Sequence, residues 1–105
     1  MKLQQYDILK VIYTAVAQVT SVIPHEYSEW QHDTGIEFAV CCSMWLAKSR
    51  TAHDNITLSR LWLISAGTLA TLEKRGVITD PRFQEIKRRV DAELARMVLE
   101  KEFSE

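Results

Sequence analysis

The residues best suited to chemistry gather in one stretch. Between positions 25 and 37 stand His25, Glu26, Tyr27, Glu29, Trp30, His32, Asp33 and Glu37. His25, Glu29 and His32 are spaced by four and three, so an α-helix would set them on one face. Imidazole and carboxylate at that spacing resemble the Glu-x-x-His ligands of helical carboxylate-bridged metal centres. Such centres draw a second Glu-x-x-His and further carboxylates from facing helices. Here Glu29 and His32 give one such spacing, and outside this stretch His53 with Asp54 is the only histidine-acid pair. Glu26 and Glu29 also form a Glu-x-x-Glu, half of the acidic pattern that holds magnesium in all-α nucleotide pyrophosphatases. The Glu-x-x-Asp half does not follow. A metal-dependent helical enzyme using His25, Glu29 and His32 is therefore the alternative reading, and no metal or cofactor is expected on the leading one.

The same stretch suits a contact surface better. Tyr27 and Trp30 lie among Glu26, Glu29 and Asp33. Large aromatic side chains anchor protein interfaces, because they bury much area at little entropic cost. These five residues are the partner-binding candidates. In the competing reading, Tyr27 and Trp30 lie down on the fold as a lid.

Nucleophilic chemistry finds less support. A reactive thiolate needs a cation or a helix N-terminus and partial exposure. Cys41 and Cys42 are neighbours in an apolar run, where burial as free thiols is the expectation. Adjacent cysteines on a helix do not bridge readily, and there is no Cys-x-x-Cys spacing for zinc. The chain is not expected to be an enzyme.

What must position these residues is a set of helices. Only three glycines and two prolines interrupt 105 residues, which favours long helices over strands. An apolar stripe of Ile8, Leu9, Ile12, Ala15, Val16 and Val19 predicts a first helix over residues 3–22, stopped by Pro24. Thr34 and Glu37 read as a capping box for a second helix over 35–49. That helix is apolar nearly all round and so belongs at the centre.

Asn55 or Thr57 is placed to cap a third helix, running to Arg75 with Leu58, Leu61, Trp62, Ser65, Leu69 and Leu72 on its apolar face. Ala39, Ser43 and Ala47 on the second helix make a small-residue stripe. Ala66, Gly67 and Ala70 on the third make another, and the two stripes are expected to face each other. Gly76 should end the third helix in a left-handed cap. Asp80 and Pro81 then start a fourth, reaching residue 103, with Phe83, Ile86, Val90, Leu94 and Met97 along one side. The expected fold is thus all-α: a compact four-helix bundle, or five-helix if residues 25–33 form a short helix. It makes one domain over residues 1–105.

Charge narrows the partners. The formal net charge is -1, which lacks the basic excess of a nucleic-acid binder. The third helix, Gly76 and the fourth helix have the order of a helix-turn-helix, with Arg82, Lys87, Arg88 and Arg89 following, so a nucleic-acid-binding regulator is a further alternative. Yet Arg82, Glu85, Arg89, Glu93, Arg96 and Glu100 alternate in sign along one face, and Lys87 can pair with Asp91. Only Arg88 lacks an evident helical partner, and nucleic acid is disfavoured. No stretch offers the roughly 20 apolar residues a spanning helix needs, so no membrane is expected. The first ten residues are polar and mixed, unlike a secretory leader, and the expected location is the cytoplasm.

The leading expectation is a small non-enzymatic helical interaction protein, an inhibitor or adaptor of the kind that phages and other mobile elements encode. Its partner is another protein or complex. The wide apolar faces also allow a homodimer.

Overall fold

A computed structural model describes residues 3–104, and they are all-α. Five α-helices and one 3-10 helix follow in order: α1 (Gln5–Thr20), the 3-10 helix (Pro24–His32), α2 (Thr34–Arg50), α3 (Asn55–Trp62), α4 (Ala66–Leu72) and α5 (Pro81–Ser104).

The centre is α2. From Ile36 to Ala47 every side chain except Glu37 and Trp45 is buried. Around it pack the 3-10 helix, α1 and part of α5, while α3 and α4 pair with each other. The apolar stripe of α1 (Leu9, Ile12, Ala15, Val16) turns inward, as its three- and four-residue spacing requires. Phe83, Ile86 and Val90 of α5 are buried, with Leu94 and Met97 half-buried beside them, chiefly against α1. Among the described residues no single helix is long and apolar enough to cross a membrane. α1 and the 3-10 helix match that length and composition only together, bent by 51° at their junction.

Helix ends differ from the sequence expectations in instructive ways. α1 stops at Ser21, whose φ of 63° and ψ of 21° turn its N–H back to the Ala17 carbonyl at 2.8 Å. α2 is capped by Asp33, not by Thr34: one carboxylate oxygen accepts from Gly35 N at 2.6 Å and from Ile36 N at 3.3 Å. Glu37, freed from a capping box, faces Arg75 at 3.4 Å. Asp54, not Asn55 or Thr57, caps α3 by accepting from Thr57 N at 2.9 Å. The start at Asp80 and Pro81 is as expected, with the Asp80 carboxylate accepting from Arg82 N at 2.8 Å.

The third helix of the sequence reading is two helices. It breaks at Leu63, Ile64 and Ser65, where the Ser65 hydroxyl accepts from Thr68 N at 3.1 Å and caps α4. The reason is burial. Trp62 and Ile64 are both buried, yet two positions apart on a continuous helix they would point about 200° from each other. The break turns both inward and leaves Leu61, expected on the apolar face, 42% exposed.

The small-residue stripes do not meet. Gly67 and Ala70 are exposed, and a Cβ added to Gly67 would touch nothing within 4 Å. Ala39, Ser43 and Ala47 are fully buried, but Ser43 faces Tyr27 of the 3-10 helix. Gly76 is not left-handed; no described glycine has positive φ. α4 closes instead by tight turns, Lys74 N to Thr71 O at 3.2 Å and Arg75 N to Leu72 O at 2.9 Å.

The charge ladder on α5 is rearranged. Glu85 takes both Arg88 and Arg89, so Arg88 has the partner it lacked on paper. Arg96 holds Glu93 and Glu100. Arg82 turns away to Asp80 and lies over the Phe38 ring, 3.9 Å from its centre.

Candidate functional site

The stretch singled out by its chemistry folds as a 3-10 helix, and that geometry redistributes its residues. Pro24 starts it, since its fixed φ and missing N–H suit a first helical position. The Glu26 carboxylate accepts from Ile23 N at 3.2 Å, and Glu26 N donates to Ile23 O at 2.9 Å. At Glu29 the backbone leaves helical values (φ -94°, ψ 18°), kinking the segment midway. Three residues per turn place Tyr27 and Trp30 on one face, and that face is turned to the core.

Tyr27 is wholly buried, which corrects its assignment as a contact residue. Its hydroxyl lies 2.5 Å from Ser43 Oγ, where either can donate. Its ring meets Trp62 edge-on at 5.3 Å and Tyr13 at 6.2 Å, and Trp62 Nε1 donates to Tyr13 Oη at 2.8 Å. Burial pushes both phenols above their ordinary range, outweighing the Ser43 bond at Tyr27 and the Trp62 bond at Tyr13. Both therefore stay neutral near pH 7 and serve as anchors, not as acid-base groups. Trp30 is half-buried against the same core, so the lid reading describes both aromatics.

The polar candidates divide similarly. Asp33 is exposed, but its carboxylate caps α2. Glu26 is half-buried and caps the 3-10 helix, while Glu29 is exposed. His25 and His32 are exposed. His25 and His32 stand on opposite sides of the kink at Glu29, so no one regular helical face carries all three. Among the described residues no three His, Cys, Asp or Glu side chains are grouped to hold a metal ion. The thiols are not poised for attack either. Burial first, then Glu37, pushes Cys41 up to about 11, and burial with Cys41 beside it raises Cys42 further. Both are free and buried, as expected from their neighbours, and Cys41 Sγ lies 3.6 Å from the Leu72 carbonyl.

The structure adds residues that the sequence did not single out. Pro24, His25, Glu26, Ser28 and Glu29 form one wall of a hollow of about 300 Å³, and Leu61, Trp62 and Leu63 form the other. Leu63 is 79% exposed and stands in the left-handed region (φ 57°, ψ 40°) as the cap of α3. That conformation costs a side chain with a Cβ about 1–2 kcal/mol, and helices that end this way ordinarily use glycine. Ile23, beside Pro24, is 49% exposed. Exposed apolar residues thus rim a hollow whose opposite wall carries two carboxylates. The available sequence signal was Ser65 followed by Thr68, a helix start hidden inside an apolar run. Set against protein-family models, curated proteins and solved structures, the chain has no match to a family model and no significant match to a curated protein or a solved structure.

Proposed function

We propose that this chain is a binding protein of the inhibitor or adaptor kind, with no chemistry of its own. It docks on another protein through the face formed by the 3-10 helix and the corner after α3. The observation that carries this reading is Leu63: a large apolar side chain held outward in a conformation that disfavours it. Strain and exposure at one residue add two unfavourable terms, and such residues concentrate where a surface is used. Leu61 and Ile23 extend the apolar area, and Glu26 and Glu29 favour a partner presenting an apolar side chain beside cationic ones. The buried, neutral thiols and phenols support a role without nucleophilic or acid-base chemistry.

The test is affinity capture from the native host with three baits: wild type, Leu63→Asp and Glu29→Ala. Both positions are exposed, so the variants should melt within a few degrees of wild type. Leu63→Asp should lose the wild type's captured partner and Glu29→Ala should retain less of it. Equal capture by all three folded baits removes this face from consideration.

A further inference from the structure

A second concavity lies away from that face, between the end of α2, the 77–80 link and the first turns of α5. It has a volume of about 260 Å³ and is lined by Trp45, Leu46, Ser49, Arg50, Ile78, Phe83, Gln84 and Lys87. Its lining is divided by chemistry. Trp45, Leu46, Phe83 and Ile78 are apolar, and Ile78 is 44% exposed. Arg50 and Lys87 are cations, and the carboxylate paired with both is Asp91.

The two cations are not equally engaged. Arg50 holds Asp91 through Nε at 2.8 Å and Nη2 at 3.0 Å, and its Nη1 reaches Ser49. Lys87 Nζ stands 3.9 Å from Asp91, beyond hydrogen-bond distance, and its side chain is 47% exposed. Three ammonium protons are therefore available at the edge of an apolar hollow, with a net local charge of one positive unit. Gln84, beside Lys87, donates to the Ile78 carbonyl at 2.6 Å and so is engaged within the protein.

From this arrangement we propose that the hollow binds a small aromatic carboxylate, with the ring against Trp45 and Phe83 and the carboxylate on Lys87. The volume sets the scale: at about 260 Å³ it lies just below the roughly 300–1,000 Å³ of drug-sized sites, which suits a ligand of one ring. The charge sets the sign, since a carboxylate completes what Asp91 leaves unbalanced. The ring is as necessary as the charge, because a lysine half in water holds a bare anion only weakly.

Titration of the full-length, isotope-labelled protein with benzoate, benzamide and acetate, followed by amide and indole NMR shifts, decides the matter. Benzoate should give saturable shifts confined to the hollow, including the Trp45 indole. Benzamide and acetate should each bind at least about tenfold more weakly, the loss expected when one charge-assisted bond or the ring contact is removed. Lys87→Gln, an exposed substitution that keeps the fold, should weaken benzoate by a similar factor and leave benzamide unchanged. Unsaturable or scattered shifts, equal binding of benzoate and benzamide, or an unaltered benzoate affinity in Lys87→Gln would each overturn the assignment.

Discussion

Replacing Tyr27 by Phe removes one hydroxyl from the point where the 3-10 helix is fastened to α2. The partner, Ser43 Oγ, is fully buried at 2.5 Å and is left without the phenol. A buried hydroxyl deprived of its partner costs about 1–3 kcal/mol. Serine on a helix has a local escape, since it can turn to the carbonyl four residues back, here that of Ala39. Tyr27→Phe should therefore lie near the low end, about 1 kcal/mol. Ser43→Ala strands the phenol, which has no such escape, and should cost about 2 kcal/mol. In a domain of this size these correspond to losses in Tm of roughly 5 and 10 °C. The double variant removes both polar groups and leaves aromatic packing against Trp62 and Tyr13 intact, so it should be less destabilised than the sum by about 1–2 kcal/mol. Denaturant titrations of the four proteins give the coupling, and hydrogen exchange should show faster opening of residues 24–32 in either single variant. There is an alkaline signature as well. Burial holds the Tyr27 phenol neutral in the fold, while the unfolded chain ionises it near its ordinary 10.0. Above that pH the unfolded state binds fewer protons, so wild-type stability falls as pH rises and Tyr27→Phe falls less steeply. Single-variant effects that add to within about 0.5 kcal/mol would refute the claim that this bond fastens the segment.

Three other outcomes are expected. Arg88 and Arg89 hold the Glu85 carboxyl down from its ordinary 4.5 to about 2. The unfolded chain thus takes up protons first, and the stability Glu85 contributes is present above pH 4.5 and lost as pH falls towards 2, so Glu85→Gln should flatten that limb of a pH–stability curve. Burial raises both thiols, Cys41 to about 11, so a thiol reagent at pH 7.5 should label neither until denaturant is added; rapid labelling of the folded protein would contradict the assigned burial. Among the described residues Trp45 Nε1 is buried with no hydrogen-bond partner, so Trp45→Phe gives up ring area but no bond and should cost less than about 2 kcal/mol in denaturant titration; a larger loss would contradict that account.

The sequence made the fold class legible because burial periodicity is strong where helices are long. The stripe of α1 and the Phe83, Ile86 and Val90 series of α5 lie inward as spaced, and the apolar girth of α2 marks it as the centre. Legibility failed where two local signals competed. At residues 62–65 the apolar run continues a helical pattern, while Ser65 and Thr68 end it; burial of both Trp62 and Ile64 decided for the break. At residues 33–37, Asp33 and Thr34 both suit an N-cap, and the carboxylate took the position. The stretch singled out by its chemistry is an element of its own, but its faces were misjudged. Spacing alone shows neither which face turns to the core nor the kink at Glu29; the first buries Tyr27 and the second breaks the line of His25, Glu29 and His32. Leu63 carries no sequence mark, because its interest lies in a backbone angle.

That angle separates two explanations of the same corner. Two described non-glycine residues end helices in the left-handed region, Ser21 after α1 and Leu63 after α3. Ser21 is short and polar, and its hydroxyl can meet water at little loss. Leu63 gains almost nothing from the core, being 79% exposed, and glycine would make the same turn without the clash of a Cβ. If the corner existed only to bury Trp62 and Ile64, Leu63→Gly would improve it: relief of about 1–2 kcal/mol of strain exceeds the roughly 0.5–1 kcal/mol of extra chain entropy. The stable choice and the observed residue thus differ by a side chain that points to solvent. Stability therefore does not explain Leu63, and the proposed contact with a partner would account for it. The two readings part at Leu63→Gly, which should melt higher than wild type and capture less. A variant that melts higher and captures fully would return Leu63 to the structural reading.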